Sequence, residues 1–304
     1  MITLTVREPN VRLYSYRKEN RKDISLLKRN FGGNGMITID KKICTGCGLC
    51  VRDCFTNDIE LSDGTAQAKG RFCIECGHCL AICPENAITL NGFPAEDIIN
   101  VNDDDRLDPD KLLRWMKTRR TIRTFTDELV SSRDLQKILD MGMYSPKGGN
   151  IQNVSYVVIE EHLSYVRKLA VESLYEISDL SEEQKKIPNM TRYAEKWKKM
   201  YQDLNVPGAP DLLFFDAPLV IVVFSPSNIN ACIAAAHMES MVYALGLGMV
   251  YSGFTTRAVN ASSALKEFFA VGENAAAQAS LIIGHPAVRY QRSVPKKKPL
   301  VIYR

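Results

Sequence analysis

The sequence predicts a two-domain protein of mixed α and β structure, and three observations carry that prediction. The chain has 304 residues, long for one domain and comfortable for two. Eight of its nine cysteines fall within one 40-residue window, from Cys44 to Cys83. Beyond residue 110, apolar strand-like runs alternate with longer stretches of helical periodicity, as in an α/β or α+β domain. A composition of 45% hydrophobic and 24% charged residues is that of a folded globular chain.

Residues 1–35 form a basic N-terminal extension. They carry 8 Lys/Arg against 3 Asp/Glu, while the whole chain has a net charge of +4, so the remainder is close to neutral. The excess positive charge therefore says nothing of nucleic-acid binding by the folded body, and no nucleic-acid partner is expected. Met36 stands just before the first recognisable unit and is a candidate alternative start. The N-terminus lacks the apolar core of a secretory signal. The longest uninterrupted apolar run, Ala217–Phe224, is far too short to cross a bilayer, so no membrane span is expected.

The window of cysteines reads CTGCGLCVRDC and then CIECGHCLAIC-P. Each run is C-x2-C-x2-C-x3-C. Together they form an internal repeat of 29 residues, with Cys44 falling on Cys73, Gly48 on Gly77 and Cys54 on Cys83. The match continues through Asn57 on Asn86, Ile59 on Ile88 and Leu61 on Leu90. Repeats this short cannot bury a face alone, so the two halves are expected to pack about a pseudo-twofold axis. Clustered CxxC runs in a chain with no export signal indicate metal rather than a disulfide framework.

The spacing suits a [4Fe–4S] cube, which needs one thiolate on each of four irons. Three cysteines spaced by two residues wrap one corner region; the fourth points away and, in two-cluster ferredoxins, ligates the other cube. That assigns Cys44, Cys47, Cys50 and Cys83 to a first cluster and Cys73, Cys76, Cys79 and Cys54 to a second. Zinc also uses CxxC pairs, but it would leave the full spacing, present twice, without a use. Over about residues 36–92 the segment resembles the bacterial two-[4Fe–4S] ferredoxin family. Phe55 replaces the proline that usually follows the fourth cysteine, whereas the second run keeps Pro84. His78 lies between ligands, where a tuning or solvent-facing role fits better than ligation.

Residues 93–109 read as an acidic, turn-rich linker, with Pro109 opening a helix. Leu112, Leu113, Trp115 and Met116 continue it at helical spacing. Ser131-Ser132 caps a second helix. Residues 154–160 and 218–224 read as strands, residues 228–247 as an apolar helix containing Cys232 and His237, Ser262-Ser263 as the cap of another helix, and 278–284 as a third strand. Cys232 is expected in the core and His237 at a packed or interface position. Neither a Rossmann nor a P-loop glycine pattern is present.

Three segments are rich in groups that suit an anionic cofactor: RRTIRTF (119–125), YSPKGGNIQN (144–153) and SVPKKKP (293–299). Taken singly they are solvated charge and turn residues. Together, in this order, with LGLGMVYSGF (245–254) and the IGHP turn (283–286), they resemble the FMN-dependent nitroreductase family over about residues 110–304. A ferredoxin domain fused ahead of a nitroreductase domain is an arrangement known in that family. The resemblance implies an α+β domain with a central mixed sheet surrounded by helices, and FMN at the interface of a homodimer. Carried over, Arg119, Arg120, Thr121 and Arg123 would hold the phosphate, ribityl chain and pyrimidine edge. Lys296 and Lys298 would reach the phosphate. Ser145, Pro146, Lys147, Gly148 and Asn150 would form the loop contributed by the partner subunit, and Ser252 and Gly253 would lie beside the flavin N5 edge. The stretch GAPDLLFFDAP lacks the flavin-contacting Asn of some relatives, and Lys147 stands where Ser is common.

The two halves together suggest a cytoplasmic oxidoreductase: a low-potential donor, two clusters, FMN, then a small-molecule acceptor bearing a nitro, quinone or other electrophilic group. The donor would be a ferredoxin, a flavodoxin or NAD(P)H. Alternatives are an electron-transfer module serving a partner protein, or a redox sensor.

Overall fold

A computed structural model describes residues 36–272 and 274–304. The basic extension expected at 1–35 lies outside the described residues. The described chain divides into two compact units. One comprises residues 36–107 together with Lys147–Gln152; the other comprises Asp108–Pro146 and Asn153–Arg304.

The smaller unit is built on the cysteine repeat. Strand β1 (Ile37–Ile39) pairs antiparallel with β4 (Ile88–Leu90), and β2 (Ile59–Ser62) with β3 (Thr65–Ala68). The β2–β3 hairpin turns at Asp63-Gly64, both with positive φ (50° and 76°), the two-residue turn whose twist matches the strands it joins. Two short helices, α1 (Leu49–Asp53) and α2 (His78–Ala81), each start at a left-handed glycine, Gly48 at φ 73° and Gly77 at φ 75°. The paired asparagines of the repeat also share one conformation, with φ 54° at Asn57 and 52° at Asn86. The sequence repeat is thus a repeat in backbone. Its small core is Ile59, Ala66 and Ile88 with the ligand-type residues Cys50 and Cys79.

The larger unit is α+β. Its helices are α3 (Pro109–Thr118), α4 (Ser132–Met143), α5 (Leu163–Glu176), α6 (Glu182–Lys185), α7 (Met190–Gln202), α8 (Asn228–Ala244), α9 (Gly253–Ala261) and α10 (Ser263–Phe268). Its strands are β5 (Ser155–Ile159), β6 (Leu219–Phe224), β7 (Gly248–Tyr251) and β8 (Ala277–Gly284), in the order β5-β6-β8-β7. Every pairing is antiparallel. This corrects the mixed sheet expected from the resemblance: β5 and β6, and β7 and β8, are neighbours joined by helices, yet each pair of the described sheet runs antiparallel.

Strand β6 is buried at all six positions, which explains the unbroken run LVIVVF. Its alternate residues serve two cores. Val220, Val222 and Phe224 face a cluster with Val166, Leu174, Trp197 and Leu265 from α5, α7 and α10. Leu219, Ile221 and Val223 face Leu135, Ile138, Met238 and Val242 from α4 and α8. A strand sandwiched between helical layers needs apolar residues on both faces, not alternation.

The helix starts follow their capping residues. Asp108 caps α3 by accepting from Lys111 N (2.7 Å), with Pro109 in the first turn. Ser131 caps α4, Ser227 caps α8 and Ser262 caps α10. One expectation fails. Cys232 is exposed, with its thiol against Asn228 Oδ1 at 3.0 Å. Helix α8 is apolar on nearly every face, so spacing alone does not tell which positions point inward.

Candidate redox sites in two units

In the smaller unit a pocket is lined by Cys44, Cys47, Cys50 and Cys83, together with Gly46, Gly48 and Ala66. These are the four cysteines that the crossed pattern assigns to one cube. Backbone amides point at two of the sulfurs: Ala66 N lies 3.3 Å from Cys44 Sγ and Ala87 N lies 3.4 Å from Cys83 Sγ. Such N–H···S contacts stabilise an anionic sulfur and tune a cluster. Gly46, at φ 67°, passes so close to the Gly64 carbonyl of the hairpin that a side chain there would collide with it.

Cys54, Cys73, Cys76 and Cys79 form the second set. Burial pushes the Cys79 thiol up to about 11, and the neighbouring Cys76, Cys73 and Cys54 push the same way. Cys54, from the first run, is therefore an electrostatic neighbour of the second run. Asp58 N donates to Cys54 Sγ at 3.3 Å, the counterpart of the Ala87–Cys83 contact one repeat later. Burial also raises Cys50 and Cys73. Thiols that resist ionisation when empty are held as thiolates by a bound cation. Among the described residues, no three His, Cys, Asp or Glu side chains converge as a single-ion site.

Asp58 was not marked by the sequence. It is buried (3% exposed), and its Oδ1 accepts from Arg71 N (2.9 Å) and Phe72 N (3.0 Å), fixing the chain just before Cys73. Its repeat partner is Ala87, so only the nonequivalence of the two halves could have pointed to it.

In the larger unit the segment 119–125 runs beside β7 and the end of β8. Ile122 N donates to Met249 O (3.0 Å), Thr126 N to His285 O (2.9 Å) and Ala287 N to Thr124 O (2.9 Å). Two glycines permit the approach. A methyl group on Gly248 would meet Ile122 at 2.5 Å, and one on Gly284 would meet Phe125 at 3.0 Å. Three of the motifs noted in the sequence, RRTIRTF, LGLGMVYSGF and IGHP, are thus packing partners of one another.

Arg119 caps the end of α3 and pairs with Glu239 of α8, Nη1 to Oε1 at 2.7 Å. Arg120 lies over the Tyr290 ring at 5.9 Å. Thr121 is half-buried and Arg123 exposed. Ser252 is buried and caps α9, accepting from Thr255 N at 3.2 Å, while Gly253 opens the helix with its backbone exposed. Burial raises the Tyr251 phenol, which donates to Ala235 O at 3.0 Å. Lys296 and Lys298 are exposed on chain without regular structure, beyond β8.

The segment 144–153 is split between the units. Ser145 is buried in the larger one, its Oγ donating to Gly142 O at 2.6 Å, and Pro146 is exposed there. Lys147, Gly148 and Asn150 belong to the smaller unit. Lys147 is half-buried, and desolvation lowers its ammonium below the usual lysine range. Asn150 donates to Ile74 O (3.0 Å) and Glu75 O (2.8 Å), inside the second cysteine run. Nothing in the local sequence of residues 144–153 signals that contact.

Comparison with known proteins agrees with both halves. Residues 116–285 match the nitroreductase family and residues 36–84 match a 4Fe-4S dicluster domain. The chain is 23% identical to an iodotyrosine deiodinase of Hydra vulgaris over 68% of this chain and 79% of that protein. A nitroreductase with bound FMN from Bacteroides fragilis superposes with a TM-score of 0.51 at 14% identity, over 64% of this chain and 99% of the other. One from Desulfitobacterium hafniense, also with bound FMN, gives 0.50 at 18% identity, over 66% and 100%. Among the described residues no helix is long and apolar enough to cross a membrane. With more than half its length matched, this chain belongs to the nitroreductase family and carries a 4Fe-4S dicluster domain ahead of the family fold.

Proposed function

We propose that the protein is an oxidoreductase that passes electrons from a low-potential donor through two [4Fe–4S] clusters to FMN, and on to an organic acceptor with a nitro, quinone or other electrophilic group. One observation carries the reading: two sets of four cysteines, each including one cysteine from the other run, stand in one chain with a nitroreductase fold. Clusters of this kind exchange single electrons, and a bound FMN would take electrons singly and deliver them as a pair or as hydride. Tethering both in one chain replaces diffusive encounter by a high effective concentration.

The residues of the larger unit fit an anionic flavin. Arg119, Arg120 and Arg123 offer planar donors to phosphate and to the pyrimidine edge, with Thr121 between them. Glu239 neutralises Arg119 in part and fixes its guanidinium. Lys296 and Lys298 would add charge at the phosphate. Ser252 fixes the start of α9, so the Gly253 amide is presented at a helix N-terminus beside the expected N5 edge. Ser145, Pro146, Lys147, Gly148 and Asn150 would complete the pocket from the partner subunit of a homodimer. The exposed apolar positions Leu112, Leu113 and Met116 on α3 support self-association. The proposed working parts are residues 36–92 for the clusters, 93–109 as linker and 110–304 for the flavin. A reducing cytoplasm suits eight thiolate ligands, and a ferredoxin, a flavodoxin or NAD(P)H would serve as donor.

Anaerobic reductive titration followed by visible absorbance tests the reading. The expected uptake is about four electrons per chain, two for the clusters and two for the flavin. Clusters without flavin, even after FMN is supplied, would remove the enzyme reading and leave an electron carrier. Clusters that resist reversible reduction would leave a sensor.

A further inference from the structure

The two cysteine runs place unlike residues at one left-handed position that the repeat pairs. Between Cys44 and Cys47 the left-handed residue is Gly46, at φ 67°. Its counterpart between Cys73 and Cys76 is Glu75, at φ 53°. Glycine enters this region freely; a residue with a long side chain does so at a cost and persists where its surroundings hold it. In the first run the glycine is needed, because the Gly64 carbonyl leaves no room for a side chain. In the second run the position is open to a side chain, and the backbone has to be held in another way.

Asn150 supplies the hold. Its side-chain amide gives one hydrogen bond to Ile74 O at 3.0 Å and one to Glu75 O at 2.8 Å. These carbonyls belong to the peptide planes on either side of the Glu75 Cα, so two bonds from one amide fix both torsions of the strained residue. The chain emerging from the second plane is Cys76. Asn150 itself is left-handed, at φ 52°, and sits in Lys147–Gln152, the six residues that join the compact unit of the cysteine runs. Both N–H donors of the amide are spent in this way, and only Oδ1 remains to accept.

We propose that Asn150 is a positioning residue for the second cluster: it clamps the Ile74–Glu75–Cys76 backbone in the left-handed turn and thereby aims the Cys76 thiolate. The inference rests on the iron–sulfur reading of the unit. It gives a residue of the nitroreductase-like loop a task in the ferredoxin-like half.

The test compares wild type, Asn150→Ala and the double variant Asn150→Ala/Glu75→Gly as full-length, anaerobically purified holoproteins. Iron release to a chelator and the electron paramagnetic resonance of the reduced clusters are read for each. Losing two hydrogen bonds that hold a strained turn should speed iron loss from one of the two clusters about fivefold or more, and change the signal of that cluster alone. Glycine adopts the turn unaided, so the double variant should return both readouts toward wild type. Wild type with about eight irons and an Asn150→Ala variant indistinguishable from it would overturn the clamp alone. A double variant as labile as Asn150→Ala would also overturn it, since the loss would not act through the Glu75 backbone. Wild type devoid of cluster iron would overturn the underlying iron–sulfur reading instead.

Discussion

Ile122 packs so tightly on Gly248 that a single added methyl group would stand 2.5 Å from its Cγ1. The contact fixes the height of the arginine-rich segment above β7. Arg119, Arg120 and Arg123 all lie within three residues of Ile122. Gly248→Ala is therefore expected to destabilise the protein by about 1 to 3 kcal/mol, the usual penalty of overpacking. It should also weaken FMN binding, by displacing the arginine-rich segment proposed to hold the phosphate. Denaturant unfolding and flavin titration check the two effects; a variant with wild-type values of both would refute the packing role.

Arg119 and Glu239 should separate structure from binding. Their side chains are 29% and 16% exposed, and they pair at 2.7 Å. Glu239→Gln removes the charge partner but leaves the guanidinium, so it should cost about 1 to 3 kcal/mol of stability with flavin affinity kept or improved. Arg119→Gln should cost similar stability and also weaken FMN binding about tenfold or more, the worth of a charge-assisted hydrogen bond. Equal loss of flavin affinity in both variants would show that Arg119 acts only as a strut.

Replacing Cys76 by Ser tests the wiring. Donor-linked turnover is expected to vanish while FMN remains bound, because the proposed phosphate-binding residues Arg119, Arg120, Arg123, Lys296 and Lys298 lie in the other unit. Persistent turnover with the donor would mean that electrons reach the flavin without the second cluster.

Crossed ligation makes a sharper demand. Cys83→Ala should disturb the cluster of the first run, and Cys54→Ala that of the second, although each cysteine lies in the opposite stretch of sequence. Pairing each with a same-set variant, Cys83→Ala with Cys47→Ala and Cys54→Ala with Cys76→Ala, should give matching resonance spectra. If Cys83→Ala instead matched Cys76→Ala, the clusters would each be held by one run.

Much of this site is legible in the sequence because cluster ligation is a matter of local spacing. The repeat gives the cysteines, the left-handed glycines Gly48 and Gly77, and the matched Asn57 and Asn86. Strand β6 is legible because a doubly buried strand is an unbroken apolar run. Other features depend on contacts between distant residues. Strand β7 is four residues long and starts at a glycine, so it carries little strand signal of its own until Ile122 and β8 are placed beside it. The outward face of α8, with Cys232, is hidden by a helix that is apolar almost all round. Helices α5 and α7 carry the core residues Val166, Leu174 and Trp197 but have no punctuation as plain as Ser131 or Ser262. The two bonds from Asn150 to the second run span 76 and 75 residues, beyond the reach of any local pattern.

The repeat also sets Asp58 against Ala87. A carboxylate is folded into the wall near Cys73, and the matching place in the other half holds a methyl group. Duplication supplies two copies of one cradle, and this exchange makes them electrically unequal. Negative charge beside a cluster opposes its reduction, so two cubes of identical composition would accept electrons at different potentials. The protein would behave as a pair of unlike electrodes, and its reductive titration should resolve two iron–sulfur steps where a symmetric pair would show one.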